Sequence, residues 1–203
     1  MIKNVTFTAR RSLDWFTVRE QFANVFPRAE FDSYGSFVGD RGACLKSEPR
    51  TLVVLLKRRC AGGVDGNLDG NIARFVVKEY YYPLLPRVRT WLRHSKAENE
   101  FRSLLEVQRP GIAAAEPVAF GVRRTLFGFI RSCFIITRYV ESSYNLEEWI
   151  KGGDKIGKTQ AEQNWSIYNP LGQTFRTLHQ EHFFCLPQNR EISWCAGRLI
   201  LRK

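Results

Sequence analysis

Apolar positions follow two rhythms along this chain. Trp15, Val18, Phe22, Val25 and Phe26 fall three or four residues apart, which predicts an amphipathic helix over residues 12–26, ended near Pro27. Thr51–Leu56 and Ala73–Tyr81 are dense in β-branched and aromatic residues and read as strands. The polar stretch C-A-G-G-V-D-G-N-L-D-G-N between them is rich in turn formers, so the two strands should make a β-hairpin. The mixed Gly, Asp and aromatic residues of 31–42 read as loop or short strand.

Pro83 and Pro86 close the second strand. Phe101, Leu104, Leu105 and Val107 then form a helical stripe that begins in A-E-N-E and is stopped by Pro110-Gly111. Val118–Val122 and Phe129–Val140 read as strands joined by a turn at Arg123–Gly128. A short helix is expected from Asn145 to Ile150, a linker over 151–159, and a further helix over Tyr168–His179. Strands, a helix, strands and then helices make an α+β order: a sheet with one packed helix, followed by a helical part.

Charge narrows the partners. The 203 residues carry 31 Lys and Arg against 20 Asp and Glu, a formal +11, which favours anionic ligands such as nucleotides, nucleic acid or an anionic membrane face. No run approaches the ~18 apolar residues of a membrane span, and the first residues lack a signal-peptide core. The five cysteines are scattered, with no C-x-x-C pair, and read as reduced cytoplasmic thiols.

Several motifs fail on inspection. D-G-N-L-D-G (65–70) begins like a calcium loop, but the twelfth position, which needs a bidentate Glu, is Val76 in a strand. It reads as a hairpin turn. His94, His179 and His182 have no metal-ligand spacing, and no G-x-S-x-G anchors nucleophilic chemistry.

One residue resists a bland reading. In F-V-V-K-E-Y-Y-Y-P (75–83), Lys78 interrupts an otherwise apolar strand. A strand lysine more often faces solvent on a sheet edge. Here, however, a helix with Glu98 and Glu100 follows, and then two strands ending in F-I-I-T-R-Y-V (134–140). A strand lysine for the α/β-phosphates and a helix glutamate to hold it are the parts of a kinase N-lobe.

With these residues in place, the chain resembles the lipopolysaccharide kinases (Kdo/WaaP type), bacterial relatives of protein kinases that phosphorylate lipid A core sugars. The resemblance runs from about Lys46 to His182. It rests on V-V-K-E-Y (76–80), A-E-N-E-F-R-S-L (97–104), G-I-A-A-A-E-P-V-A-F-G (111–121), F-I-I-T-R-Y-V (134–140), N-L-E-E-W-I (145–150) and L-G-Q-T-F-R-T-L-H (171–179). It implies a kinase-like N-lobe, an antiparallel sheet with one packed helix, over 41–140. An N-terminal extension with its helix would fill 1–40, and the hinge and start of a helical C-lobe 141–203.

By that resemblance Lys78 binds phosphate and Glu100 is its partner, with Glu98 the fallback. Two residues apart on a helix diverge, so both cannot face inward. Thr137 resembles the gatekeeper, and Arg138, Tyr139 and Val140 resemble the hinge whose backbone groups bond an adenine edge. The phosphate-covering loop would be K-S-E-P-R (46–50), which has no glycine. ATP and magnesium are the implied cofactors. The implied partners are a nucleotide and a lipopolysaccharide precursor or the anionic inner-membrane surface, at a cytoplasmic, peripheral location.

The pattern departs from the family after His179. A catalytic loop of the form H-x-D-x-x-x-x-N should follow, yet Pro187 stands where its Asp belongs and Ile192 where its Asn belongs. No catalytic residue or metal ligand is therefore assigned, magnesium binding is put in doubt, and the expectation is a truncated, inactive kinase relative. The alternative is a non-catalytic basic module for nucleic acid or an anionic membrane surface. Overall charge and the aromatic residues Tyr80–Tyr82 and Trp91 permit it. In the kinase reading, by contrast, the basic patch Arg87, Arg89, Arg93, His94 and Lys96 would meet anionic lipid or the phosphorylated sugar acceptor, or be a plain solvated face. The spread of basic residues over many segments argues against nucleic acid.

Overall fold

The computed structural model describes residues 4–8, 14–27, 31, 42–59, 72–83, 94–112, 114–141 and 159–181. The chain divides into two compact units, one of residues 1–105 with 115–139 and the other of 106–114 with 140–203.

The first unit is built on a seven-stranded antiparallel sheet. In chain order its strands are β1 (Asn4–Thr8), β2 (Trp15–Arg19), β3 (Gly42–Glu48), β4 (Thr51–Arg59), β5 (Ile72–Tyr81), β6 (Pro117–Arg124) and β7 (Ile130–Arg138). Their order across the sheet is β1-β2-β6-β7-β5-β4-β3. The predicted hairpin of the two central strands is present: β4 and β5 pair from Thr51↔Tyr80 to Arg59↔Ile72. Its connection, 60–71, lies outside the described residues, as do the expected helix at 145–150, Pro187 and all of the linker expected at 151–159 except Thr159, which opens a helix.

Strand alternation divides the side chains between two faces. Val54, Leu56, Phe75, Val77, Val118, Phe134 and Ile136 point to one face and are covered by Phe22 and Phe26. Helix α1 (Lys96–Gln108) lays Ala97, Phe101, Leu104 and Leu105 on the other face, against Tyr80, Phe120, Val122, Ile130, Cys133 and Ile135. The sheet is thus buried on both sides, which explains why β6 and β7 read as nearly unbroken apolar runs.

The helix expected over 12–26 does not form. W-F-T-V-R is strand β2, followed by one 3-10 turn at Glu20–Phe22. Val18, Phe22 and Phe26 are buried and Trp15 is partly buried on the opposite face, but Phe16 is buried as well, and a helix would have turned it away. Strand propensity across 15–18 and pairing with β6 (Phe16↔Gly121, Val18↔Ala119) outweigh the accidental helical spacing.

The second unit contains α2 (Thr159–Gln180), which includes the predicted 168–179 segment and runs through Pro170. Leu178 on this helix is buried, whereas Phe175 is largely exposed.

Candidate functional site

Lys78 lies near the middle of β5, between Val53 on β4 and Ile135 on β7. Alternation places Val76, Lys78 and Tyr80 on the α1 side of the sheet, with Phe75, Val77 and Glu79 on the other. Helix α1 begins with Ser95 as its N-cap, whose Oγ accepts the Glu98 N–H at 3.0 Å. The rotation of the helix is set by Ala97, Phe101, Leu104 and Leu105, which pack on the sheet.

The Lys78 ammonium donates to Glu100 Oε1 at 3.2 Å. Glu98 is buried and spoken for: its Oε1 meets His94 Nδ1 at 2.9 Å and Arg102 at 2.6 Å. Glu100 is therefore the residue that meets Lys78, and Glu98 serves the helix start. The two members of the pair are 38% and 31% exposed, so as a stabilising ion pair it is worth less than about 1 kcal/mol. Its consequence is positional. A lysine side chain carries about 2 kcal/mol of rotamer entropy, and a facing carboxylate restricts where its charge can lie.

Tyr80, two residues beyond Lys78 on the same face, donates its phenolic hydrogen to the other oxygen of Glu100. Glu100 is thus held from both sides. Burial, reinforced by the hydrogen bond to Glu100 and its negative charge, pushes the Tyr80 phenol far above its ordinary value of 10.0. The ammonium groups of Lys78 and Lys96 lie 5.3 and 4.5 Å from the centre of the Tyr80 ring. The resemblance did not point to Tyr80. Period-two alternation from Lys78 could have found it.

Thr137 faces Val76 across the β5–β7 ladder, on the Lys78 side of the sheet. It shares with Val53, Leu55, Val76 and Lys78 a partly exposed strip, whereas the rows nearer Tyr80 and Cys133 are sealed under α1. Arg138 points to the other face. Its N–H donates to the Glu116 carbonyl at 2.8 Å, and the Tyr139 N–H donates to the Arg74 carbonyl at 3.0 Å. Val140, in the second unit, is 61% exposed. K-S-E-P-R spans the end of β3, the tight turn at Pro49-Arg50 and no extended loop.

Glu116 gathers a second cluster that the sequence did not signal. Its Oε1 accepts from Arg19 and from Gln21, each at 2.8 Å, and its Oε2 lies 3.6 Å from Arg138. The end of β2 is thereby tied to the last residue of β7.

Residues 58–189, well over half of the chain, match the Lipopolysaccharide kinase (Kdo/WaaP) family. The chain belongs to this family. No curated protein matches it. A solved structure described as "WaaP in complex with acyl carrier protein" is similar at 16% identity and a TM-score of 0.43. The likeness covers 69% of this chain and 46% of that one, so this chain spans less than half of that structure.

Membership of a kinase family implies ATP and a divalent metal. A triphosphate suits the ammonium of Lys78. Among the described residues no group of three or more His, Cys, Asp or Glu side chains could hold a metal ion. Among those residues, too, no helix is long and apolar enough to cross a membrane.

Proposed function

We propose that this chain is a nucleotide-binding member of the lipopolysaccharide kinase family that holds ATP on the α1 face of its sheet and does not itself carry the phosphoryl-transfer centre. The observation that supports the reading best is the Lys78–Glu100 contact at 3.2 Å, on the same face as Thr137.

The chemistry runs from one end of the strip to the other. A purine ring is flat and apolar on its faces, and Val53, Leu55 and Val76 offer a half-exposed aliphatic surface of the right character. The polar purine edge needs backbone groups beside that surface. The N–H groups of Arg138 and Tyr139 are already committed, to the Glu116 and Arg74 carbonyls, so within this unit the purine edge would be met by backbone carbonyls at the end of β7. Beyond the purine, the phosphates reach Lys78, whose charge Glu100 keeps at a fixed point while Tyr80 steadies Glu100. Positioning and charge neutralisation are most of what phosphoryl transfer asks of a protein.

Transfer also needs an acceptor-activating carboxylate and a metal-holding residue. The segment after His179 has Pro187 and Ile192 at those offsets. The family's reaction, on a lipid-linked sugar at the cytoplasmic face of the inner membrane, then requires residues beyond those assigned here. Thermal unfolding with and without ATP tests the reading. ATP should raise the unfolding temperature of the wild type clearly more than that of Lys78→Ala. If ATP moves neither protein, with or without magnesium, the reading fails.

A further inference from the structure

The turn between β6 and β7 spends apolar surface where its geometry asks for none. Thr125 N–H donates to the Phe129 carbonyl at 2.8 Å and Gly128 N–H to the Thr125 carbonyl at 2.9 Å. Phe129 N–H reaches Thr125 Oγ1 at 3.2 Å, and the Arg124 guanidinium donates to the Gly128 carbonyl at 2.7 Å. Gly128 takes φ +80°, the left-handed position that closes such a hairpin. This scaffold is complete without the two corner residues, Leu126 and Phe127. Turn corners are ordinarily Gly, Pro, Asn, Asp or Ser. Here they are 89% and 79% exposed, the most exposed large apolar side chains among the described residues.

Charge surrounds the tip. R-R-T-L-F-G-F-I-R (123–131) holds three arginines and no acid. Ladder register brings Tyr81, itself 41% exposed, beside this end of the sheet through Ser132, which pairs with both Tyr81 and Arg123. The β3–β4 turn arrives there too, because Tyr81 N–H bonds the Arg50 carbonyl at 3.0 Å. Glu79 is the acid nearest Tyr81, and it is buried and accepts the Tyr81 hydroxyl at 2.7 Å. One acid stands at this end beside the arginines: Asp14 Oδ1 accepts the Arg124 N–H at 2.8 Å. One end of the sheet therefore presents an exposed apolar point, a partly exposed aromatic and more arginine than acid.

We propose that this hairpin tip inserts into the headgroup region of an anionic phospholipid surface, with Leu126 and Phe127 entering the acyl boundary and Arg123 and Arg131 meeting lipid phosphates. Apolar area and attraction to anionic lipid are the two terms that drive such binding. A rigid turn supplies both without an ordering cost. The inference rests on turn chemistry and charge, independently of nucleotide binding.

Cosedimentation of the full chain with phosphatidylcholine vesicles, with and without phosphatidylglycerol, is the test. Wild type should bind the anionic vesicles and release them as salt rises. Leu126→Ser/Phe127→Ser should weaken that binding by roughly tenfold or more. Arg131→Glu should weaken it on anionic vesicles alone. Unchanged thermal unfolding would show that both variants fold, and the ATP response of the same samples reports separately on the nucleotide site. Equal vesicle binding by wild type and the double variant, or no binding by wild type, overturns the proposal.

Discussion

Tyr80 and Glu100 share a hydrogen bond that locks the helix carboxylate against the sheet, while the carboxylate's other oxygen faces Lys78. The phenol is buried and its ionised form is doubly disfavoured, by lost hydration and by Glu100. A phenol whose folded-state pKa is raised stabilises the fold fully below the unfolded value near 10 and loses that contribution as pH climbs beyond it. Tyr82 adds in the same direction, through burial and the neighbouring Cys133. Urea unfolding from pH 8 to 11 should show stability falling above about pH 10. Tyr80→Phe should lower stability by about 1 kcal/mol at neutral pH and flatten the alkaline fall.

Thiol reactivity should separate two described cysteines. Cys44 is exposed on edge strand β3, whereas Cys133 is buried under α1 beside Tyr82, with its Sγ 3.7 Å from the Tyr82 hydroxyl. Burial pushes the Cys133 thiol up and away from the reactive thiolate. Peptide mapping after brief alkylation of the native protein should find Cys44 modified and Cys133 intact, and denaturant should expose Cys133. Comparable modification of both in the native state would contradict the packing of α1 on the sheet.

Glu116 should matter for stability well beyond an ordinary surface acid. Arg19 is only 11% exposed in its side chain, and its Nε is buried without a hydrogen-bond partner among the described residues. Its NH1 depends on Glu116 and, at 3.2 Å, on the Pro117 carbonyl. Glu116→Ala would strand that guanidinium and should cost about 2 kcal/mol in urea unfolding. Arg19→Met/Glu116→Ala should lose less than the two single variants added together, because the stranded charge is gone.

The central sheet could be read from the chain because its information is local. Runs such as T-L-V-V-L-L and F-I-I-T demand strands on composition alone, and Pro110-Gly111 marks the end of α1 whatever surrounds it. Strand β2 could not be read so. Whether Trp15–Arg19 is helix or strand depends on β6, about a hundred residues later, offering it an edge to pair with. The Glu116 cluster hides for the same reason, since Arg19, Glu116 and Arg138 meet only once β2 and β7 are aligned on either side of β6, which Glu116 precedes. Lys78 and Glu100 stand between these cases. Pattern showed that Lys78 was out of place, the family resemblance supplied its partner, and the structure shows Glu98 engaged instead by His94 and Arg102.

The central claim is that Lys78 meets the phosphates of a nucleotide, and calorimetric titration with ATP and with adenosine tests it most directly. The wild type should prefer ATP by at least about tenfold, the order expected for one fixed charge meeting a triphosphate. Lys78→Met keeps the apolar stem and should erase that preference while leaving adenosine binding and folding stability nearly unchanged. Glu100→Gln should fall between them. An ATP preference that survives intact in Lys78→Met would show that the phosphates lie elsewhere, and the account would be wrong at its root.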